Sequence, residues 1–399
     1  MTETNKSNER ILLMLSERFA PDLGGVARSA ARTASAVARL GWQVHVVAWT
    51  KTLAPGTLET VSQDDGVTVH RIGLFSNWDY SMQHTTNVLN WMHDEFSFSM
   101  VWGHYLFPAG YLAVLFAKTK QLACTVSARG NDVDRLMFPP GDFARLMWTV
   151  EQADAVTAVS DDLAQKIRTL SSEVHVEVVP NVVDTNVFRP SNADDANAIR
   201  TGLGIAADEV VLGFCGELRH KKGLPFLLSA LAKVRETRPA CLLVVGVIRP
   251  RERAHLASFA VEHPDAAERI IVTGHIDEPE IVARHIRLCD VVLQPSVWDG
   301  MPNSVLEAMA CGRIVIASRA GGICEAIEHG ENGFTLAVAE LNRLGTAVTE
   351  LLDAPEAVRK RIAMAARETA LEKFQQSAED ERLGTLLAAL ENRPLNNSA

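Results

Sequence analysis

The chain has 399 residues, 47% of them hydrophobic, and a formal net charge of −10 at pH 7. One hydrophobic core seldom organises so long a chain, so two domains are expected. Both halves are acidic, since residues 1–190 hold 16 Lys and Arg against 20 Asp and Glu, and the remainder holds 23 against 29. This balance argues against nucleic acid or a strongly anionic membrane as the main partner.

Two further features of the composition bear on location. The six cysteines form no CxxC pair, which favours buried free thiols in a reducing compartment over a disulfide framework. No apolar run approaches the roughly 18 residues of a membrane span, and the polar start MTETNKSNER has no apolar signal-peptide segment behind it. We therefore expect a soluble, cytoplasmic protein for which membrane contact is not indicated.

The first half of the chain alternates strand-like and helix-like segments. Helical patterns at residues 26–40, 108–119 and 161–170 lie among short apolar segments rich in β-branched residues. Seven such segments predict strands: ILLML (11–15), QVHVVAW (43–49), VTVHRI (67–72), MVWGHY (100–105), ACTVSA (123–128), AVTAVS (155–160) and VHVEVV (174–179). This alternation is typical of a parallel sheet that helices cover on both faces.

A stretch rich in Asn, Asp and Pro, residues 180–197, interrupts this pattern and predicts a linker. A second series of predicted strands follows: VVLGFCG (210–216), ACLLVVG (240–246), RIIVTG (269–274), DVVLQPS (290–296) and RIVIAS (313–318). We therefore predict two Rossmann-like, doubly wound α/β domains, residues 1–184 and 185–374, facing each other across a cleft, with ligands at the carboxyl ends of the strands. The helical tail, residues 375–392, is expected to pack back on the first domain.

Two loops that follow predicted strands carry groups suited to anions. Gly24 and Gly25 lie where a loop enters an arginine-rich helix without acids, so exposed amides there suit a phosphate. The loop GELRHKKGL (216–224) holds Arg219 and Lys222, and such cations stabilise a diphosphate that gains charge as it leaves. The residues alone leave an alternative open for each loop, namely a turn with a solvated arginine face and a solvated basic turn.

The segment SVWDGMPNSVLEAMACG (296–312) carries two acids around a helix start. Ser304 and Glu307 have the spacing of a capping box, which explains Glu307 without a ligand. That interpretation leaves Asp299 and the bare amides of the Gly-Met-Pro-Asn turn unexplained. A sugar nucleotide would use all of these groups, with amides for phosphate and one carboxylate each for ribose and hexose hydroxyls.

Two other patterns are set aside. Asp132-Val133-Asp134 looks like a metal-binding DxD motif, but nothing around it fits. GLGIAAD (202–208) resembles a dinucleotide fingerprint, yet it precedes its strand instead of following it. We identify no other metal-ligand cluster, so no metal and no cofactor are expected.

The chain resembles glycosyltransferase family 4, retaining enzymes of the GT-B fold that use nucleotide sugars. The resemblance covers nearly the whole chain and is most specific at residues 299–312. Six segments carry it: PDLGGVARSA (21–30), ADAVTAVSDDLAQKI (153–167), VVPNVVDTNVFRP (178–190), GELRHKKG (216–223), CDVVLQPSVWDGMPNSVLEAMACGRIVIAS (289–318) and AGGICEAIEHGENGF (320–334).

The resemblance implies roles for individual residues in binding a donor. Glu307 would bind the ribose hydroxyls, Asp299 the hexose, and Lys222 the diphosphate. The backbone around the donor phosphate and sugar would come from Gly24, Gly25, Gly300, Met301, Pro302, Asn303, Ser304, Val305 and Leu306.

Three positions depart from the family pattern. Asp299 stands where the family usually has Glu, and Glu217 stands where it usually has an arginine, for which Arg219 is the nearest substitute. In the segment RGND, Arg129 replaces the usual histidine while Asp132 is retained. We count Arg219, Arg129 and Asp132 among the candidate catalytic residues with Lys222, Asp299 and Glu307.

Acceptor contacts are expected from the first domain. His104 ends a predicted strand and matches a frequent family histidine, although a lone histidine at a strand end is more often structural. Trp78 and Tyr80, expected in a loop of the aromatic-rich region 75–111, are candidates for stacking on the acceptor, with core packing as the alternative.

The resemblance implies a retaining glycosyltransferase that moves a hexose from a nucleoside diphosphate sugar to an acceptor hydroxyl. The acceptor would be a saccharide, a lipid-linked saccharide or a small molecule. Two other functions stay open: a nucleotide-sugar epimerase or hydrolase on the same fold, and a sugar-nucleotide-binding protein that has lost catalysis. The departures at Asp299, Glu217 and Arg129 keep the second of these open.

Overall fold

The computed structural model describes residues 10–22, 24–63, 65–190 and 194–393. The polar start at residues 1–9 and residues 191–193 of the predicted linker lie outside the described residues. The chain divides into two compact units, the first formed by residues 1–180 and 377–399 and the second by residues 181–376. Across the described residues, none of the helices has both the length and the apolar character needed to cross a membrane.

The first unit is built on an eight-stranded sheet with the order β3-β4-β2-β1-β5-β6-β7-β8. The strands are β1 (Ile11–Ser16), β2 (Gln43–Thr50), β3 (Leu58–Ser62), β4 (Val67–Gly73), β5 (Met100–His104), β6 (Ala123–Ala128), β7 (Ala155–Ala158) and β8 (Val176–Val178). Neighbours pair in parallel except β3, which runs antiparallel to β4 at the edge. The sequence did not predict β3, because all five of its residues are exposed and it lacks an apolar run.

Six helices of the first unit follow its strands in the chain. They are α1 (Gly25–Arg39), α2 (Trp78–Phe96), α3 (Tyr111–Lys120), α4 (Asn131–Leu136), α5 (Pro140–Gln152) and α6 (Asp161–Leu170). The central strands β1 and β5 are buried along their whole length, as expected for a sheet covered on both faces.

The second unit is built on a six-stranded parallel sheet with the order β11-β10-β9-β12-β13-β14. The strands are β9 (Val210–Cys215), β10 (Ala240–Val245), β11 (Ile270–Val272), β12 (Val291–Gln294), β13 (Val315–Ser318) and β14 (Phe334–Leu336). The helices are α7 (Asp194–Gly202), α8 (Leu224–Arg235), α9 (Arg253–Glu262), α10 (Pro264–Ala267), α11 (Pro279–Ile286), α12 (Asn303–Ala310), α13 (Ile323–Ala326), α14 (Leu344–Asp353) and α15 (Glu356–Lys373).

The last helix, α16 (Gln376–Glu391), completes the core of the first unit. Four of its leucines lie in one buried cluster with Trp42 and residues of α1 and β2: Leu383, Leu386, Leu387 and Leu390. The leucine side chains of α16 therefore form an apolar face that packs on the same side of the sheet as α1.

Acidic residues of α16 pair with the arginines of α1. Arg32 donates its Nε–H to both carboxylate oxygens of Glu379 at 3.0 Å, and Arg39 donates to Asp380 at 2.7 Å. The alternative of a solvated arginine face is therefore wrong for Arg32, whereas Arg39 stays exposed beside its partner. Helix α1 needs no acid of its own because α16 supplies two.

Replacing Glu379 by alanine should destabilise the first unit strongly. The Glu379 side chain is 1% exposed, so its removal leaves Arg32 largely buried without its carboxylate, at a cost of about 3 kcal/mol or more. The control Asp380→Ala breaks a pair whose side chains are 40% and 27% exposed and should cost no more than about 1 kcal/mol. Urea unfolding measures both, and equal shifts in midpoint would contradict the ranking.

Candidate functional site

The strand order of the second unit reverses between β9 and β12. The chain leads from β9 outward to β10 and β11 on one side, then returns to β12, β13 and β14 on the other. In such sheets, ligands bind outside the carboxyl ends of the two strands where the order reverses. The loops that leave β9 and β12 contain the predicted donor-site residues of this unit, which places these residues at one edge of the sheet.

The turn after β9 is packed tightly against the end of β12. Gly223 has a φ of +83°, and a Cβ atom there would lie 2.1 Å from the carbonyl oxygen of Pro295, so the position requires glycine. The N–H of Val297 donates to the carbonyl oxygen of Lys221 at 2.9 Å. These contacts hold the turn His220–Lys222 beside the segment that leads to Asp299.

Lys222 and Asp299 meet at this edge. The Lys222 ammonium donates to Oδ2 of Asp299, and Ser296 Oγ donates to the same oxygen at 3.1 Å. Burial raises the pKa of the Asp299 carboxyl, but the nearby ammonium of Lys222, its hydrogen bond and the charge of Lys221 outweigh burial and hold that pKa below its usual range. The carboxylate is therefore ionised at neutral pH, and the two predicted site residues form one charged pair.

A glycine pair after β13 supports the loop that carries Asp299. A Cβ atom on Gly321 would lie 1.9 Å from the carbonyl oxygen of Asp299, and the N–H of Gly322 donates to the carbonyl oxygen of Gly300 at 2.7 Å. A side chain at position 321 would push this loop away. The sequence interpretation gave these two glycines no role, although the Gly-Gly pair after a strand was an available signal.

Helix α12 begins differently from the capping-box interpretation. Pro302 is its N-cap, so the helix starts at Asn303, and Ser304 donates its hydroxyl to Oε1 of Gln294 at 3.1 Å instead of capping the helix. The capping box is therefore wrong as an explanation of this segment. The first amides of a helix have no intrahelical acceptor, and they suit an anion.

A buried acceptor lies at the same helix start. Among the described residues, Oδ1 of Asn303 is buried and has no hydrogen-bond partner. Buried polar atoms are normally satisfied, so this oxygen suits a ligand that brings a donor group. Met301 is itself buried, and its carbonyl oxygen accepts a hydrogen bond from Asn181 Nδ2 at 2.6 Å, which fixes the chain before the helix.

Glu307 lies one turn further into α12. Its side chain is 8% exposed, and its Oε2 is 3.9 Å from Sγ of Cys215, the last residue of β9. The carboxylate is thus held at the strand end where the order reverses. Val305 and Leu306 lie in the hydrophobic core, and the Val305 N–H already donates to the carbonyl oxygen of Pro302 at 3.1 Å, which leaves the amides closer to the helix start for a ligand.

Glu217, which stands at the family's usual arginine position, forms an ion pair with Arg249. Glu217 accepts from Arg249 Nε at 2.6 Å, and Arg219 Nη1 lies 3.8 Å from the other carboxylate oxygen. Arg219 immediately precedes the turn that contains Lys222. That Arg219 takes the role of the family arginine therefore stays a prediction, and the position of the Arg219 backbone permits it.

The strand order of the first unit reverses between β1 and β5. Gly24, with a φ of +122°, is the N-cap of α1, and both Gly24 and Gly25 are exposed. His104, the last residue of β5, is fully buried, with Nε2 2.8 Å from Ser29 Oγ. Burial, reinforced by the charges of Arg129 and Arg32, holds the pKa of His104 well below its usual value, so the ring is neutral at pH 7.

Asp132 organises the loop after β6. Its buried carboxylate accepts the N–H groups of Arg129 at 3.0 Å and Leu106 at 3.3 Å. Burial raises the pKa of Asp132 against the effect of these hydrogen bonds. Burial and the charge of Arg32 lower the pKa of Arg129 to about 9, which leaves it cationic at neutral pH. Asp134 instead pairs with Lys166 at 3.3 Å, so the two acids of the DxD pattern have different partners.

Trp78 and Tyr80 are in the first turn of α2, and their placement in a loop is wrong. Asn77 caps this helix, since its side chain accepts the N–H of Asp79 at 2.7 Å. Trp78 is 40% exposed and packs edge-on against Trp49, while Tyr80 is 63% exposed. Core packing does not describe either residue, and their contact with an acceptor stays a prediction.

Comparison with known proteins extends this description. Two family models match: glycosyl transferase 4-like domain at residues 24–182 and glycosyl transferases group 1 at residues 209–354. N-acetyl-alpha-D-glucosaminyl L-malate synthase of Bacillus anthracis is 26% identical over 312 residues, covering 77% of this chain and 79% of that protein.

Solved structures share the fold. Sucrose-phosphate synthase from Thermosynechococcus elongatus superposes with a TM-score of 0.80 at 19% identity, over 96% of this chain and 99% of that one. Anabaena HepE in complex with UDP-glucose gives a TM-score of 0.78 at 19% identity, over 95% of this chain and 99% of that one. These likenesses confirm the predicted fold class, with two parallel-sheet α/β units of the GT-B type.

The two family models together span more than half of the chain, one in each unit. The predicted family and enzyme class are thus confirmed, and the chain belongs to the group 1, family 4-like glycosyl transferases and is a glycosyltransferase.

Proposed function

We propose that this glycosyltransferase takes a nucleoside diphosphate sugar as donor and transfers its hexose to an acceptor hydroxyl with retention of the anomeric configuration. One observation carries the proposal: Glu307, Lys222 and the start of α12 converge where the strand order of the second unit reverses. The buried acid Glu307 suits the ribose hydroxyls, and the cation of Lys222 suits the diphosphate. The amides at the start of α12 suit the phosphate oxygens. That HepE was solved with UDP-glucose supports a donor of this class.

The assignment divides the donor among four groups. Glu307 accepts hydrogen bonds from the ribose hydroxyls, and the amides at Asn303 and Ser304 contact a phosphate. Lys222 binds the diphosphate, while Asp299 reaches the hexose hydroxyls. Because Lys222 and Asp299 already contact each other, the diphosphate and the hexose lie next to this pair.

The reaction follows from this arrangement. The bond between C1 of the hexose and the diphosphate oxygen breaks, and its electron pair leaves with the diphosphate. The acceptor oxygen bonds to C1 on the same face, and its proton passes to an oxygen of the departing diphosphate. No protein nucleophile is required, so the protein contributes positioning and charge stabilisation through Lys222, Arg219 and the α12 amides.

Two experiments test the donor and the stereochemistry. A panel of nucleotide sugars is screened by thermal shift, since a donor that binds the folded protein raises its melting temperature. The donor that binds is then incubated with an acceptor panel, and NMR of the product reports the anomeric configuration. An inverted product, or donor consumption at the same rate without acceptor, would contradict the proposal and favour a hydrolase or epimerase.

Turnover should persist when divalent metal ions are removed. The leaving diphosphate gains negative charge. Lys222 and the helix amides stabilise this charge in place of a metal ion. The expected result is an unchanged kcat after dialysis against EDTA. Loss of turnover that only Mn²⁺ or Mg²⁺ restores would contradict a metal-independent transfer.

A further inference from the structure

Three potential metal ligands converge beside the donor-site turn of the second unit. His220 begins the turn that follows β9, Glu252 ends the turn Pro250–Glu252 that follows β10, and His255 lies in the first turn of α9. Each side chain offers one ligand atom, and the three atoms lie within 4.8 Å of one another. The sequence separates His220 from Glu252 by 32 residues, so no short motif marks the group.

The separation of two of these ligand atoms matches a tetrahedral ion. Oε2 of Glu252 lies 3.3 Å from Nδ1 of His255, and the rings of His220 and His255 have centroids 5.3 Å apart. Ligands bonded to Zn²⁺ at about 2.0–2.1 Å in a tetrahedron lie roughly 3.3 Å from each other. The Glu252 and His255 atoms are therefore already separated as two ligands of one ion would be.

Glu252 is preorganised for this role. Its side chain is buried, and its Oε1 accepts the backbone N–H of His220 at 2.9 Å. That bond fixes one carboxylate oxygen and leaves Oε2 toward His255. A hydrogen bond from the backbone that orients a ligating carboxylate is a regular feature of metal sites.

We propose that His220, Glu252 and His255 bind one divalent ion of the Zn²⁺ class, with water as the fourth ligand. Two imidazoles and one carboxylate suit Zn²⁺, Co²⁺ or Ni²⁺ better than Mg²⁺ or Ca²⁺, which take oxygen ligands. The ion links the turns that leave β9 and β10, which protein contacts already hold in place without it. The site is separate from the sugar-transfer chemistry and does not depend on the identity of the donor.

The ordinary alternative is an ion pair between Glu252 and His255. Such a pair needs neither His220 nor a metal ion, and it gives a protein that takes up no Co²⁺. The two explanations therefore differ in metal stoichiometry and in the effect of changing His220.

The test uses the full chain without an affinity tag, dialysed against a chelator. Co²⁺ and Zn²⁺ are titrated separately, following visible absorption for Co²⁺ and heat for Zn²⁺. We expect one ion per chain, the intense visible bands of tetrahedral Co²⁺, and a melting temperature raised by several degrees at a hundredfold excess over Kd. No uptake by the wild-type chain would overturn the proposal.

Variants locate the ion. His220→Ala, His255→Ala and Glu252→Gln should each weaken affinity at least about tenfold and lose the tetrahedral Co²⁺ spectrum. His263→Ala is the matched control, because this exposed histidine at the end of α9 packs on Phe259 outside the group. Circular dichroism confirms that each variant is folded. Equal affinity in His255→Ala and His263→Ala would show that the ion binds elsewhere and overturn the assignment.

Discussion

Replacing Glu307 by alanine is expected to remove nearly all donor turnover while the second unit stays folded. Glu307 is the buried acid of α12, and its carboxylate lies 3.9 Å from Cys215 at the end of β9. Each hydrogen bond from a ribose hydroxyl to this charged group is worth about 1.5–3 kcal/mol. Losing two of them lowers kcat/KM for the donor by on the order of a hundredfold or more.

A second variant separates this role from a packing role. Glu307→Gln keeps the size of the side chain but removes its charge, so it should remain folded and still lose most of the activity. Glu280→Ala, an exposed acid in the first turn of α11, is the control and should keep wild-type kinetics. Thermal unfolding verifies the fold of each variant. Wild-type rates in Glu307→Ala would refute the assignment of this residue to the ribose.

The fold could be predicted wherever a short apolar run in the sequence forms a buried strand. Each predicted strand overlaps one observed strand of the two sheets, because buried parallel strands are continuous apolar runs. The strands that were missed, β3 and β14, are an exposed edge strand and a three-residue strand. Neither contains enough buried apolar residues to give a pattern.

The sequence pointed to the segments that meet at the candidate site, where Lys222 contacts Asp299, but it did not give their local geometry. The pattern of Ser304 and Glu307 suggested a capping box, but Pro302 is the N-cap, so the helix starts two residues earlier, and Gln294 accepts the Ser304 hydroxyl. A local spacing rule cannot detect that competition, because Gln294 comes from the neighbouring strand. The Asn77 cap of α2 was a visible local signal, and it would have placed Trp78 in a helix.

Pairings between distant segments had no signal in one sequence. Arg32 and Glu379 are 347 residues apart, and His220 and Glu252 are 32 apart. The acid-free arginine face of α1 was visible, yet only the fold shows that α16 supplies its carboxylates. Tertiary packing determines these contacts. A charged residue that is paired in this way is less available to bind a ligand.

Replacing Lys222 by alanine is expected to lower kcat by on the order of a hundredfold or more. The breaking bond places new negative charge on the diphosphate, and a fixed cation beside it stabilises that charge more in the transition state than in the ground state. The packing of Gly223 against Pro295 holds the turn and therefore the ammonium in place. Lys233→Ala, which removes an exposed lysine paired with Glu236, is the charge-matched control and should leave kcat unchanged.

The contact between Lys222 and Asp299 allows a sharper test. If Lys222 served only to neutralise Asp299, then Asp299→Ala would remove the need for it, and the double variant would match Asp299→Ala alone. If Lys222 stabilises the diphosphate, its loss costs a similar factor whether or not Asp299 is present. We expect the second outcome, with the hundredfold loss in kcat retained in the Asp299→Ala background. A double variant no slower than Asp299→Ala would reduce Lys222 to a partner of the carboxylate and leave the leaving group to the α12 amides and Arg219.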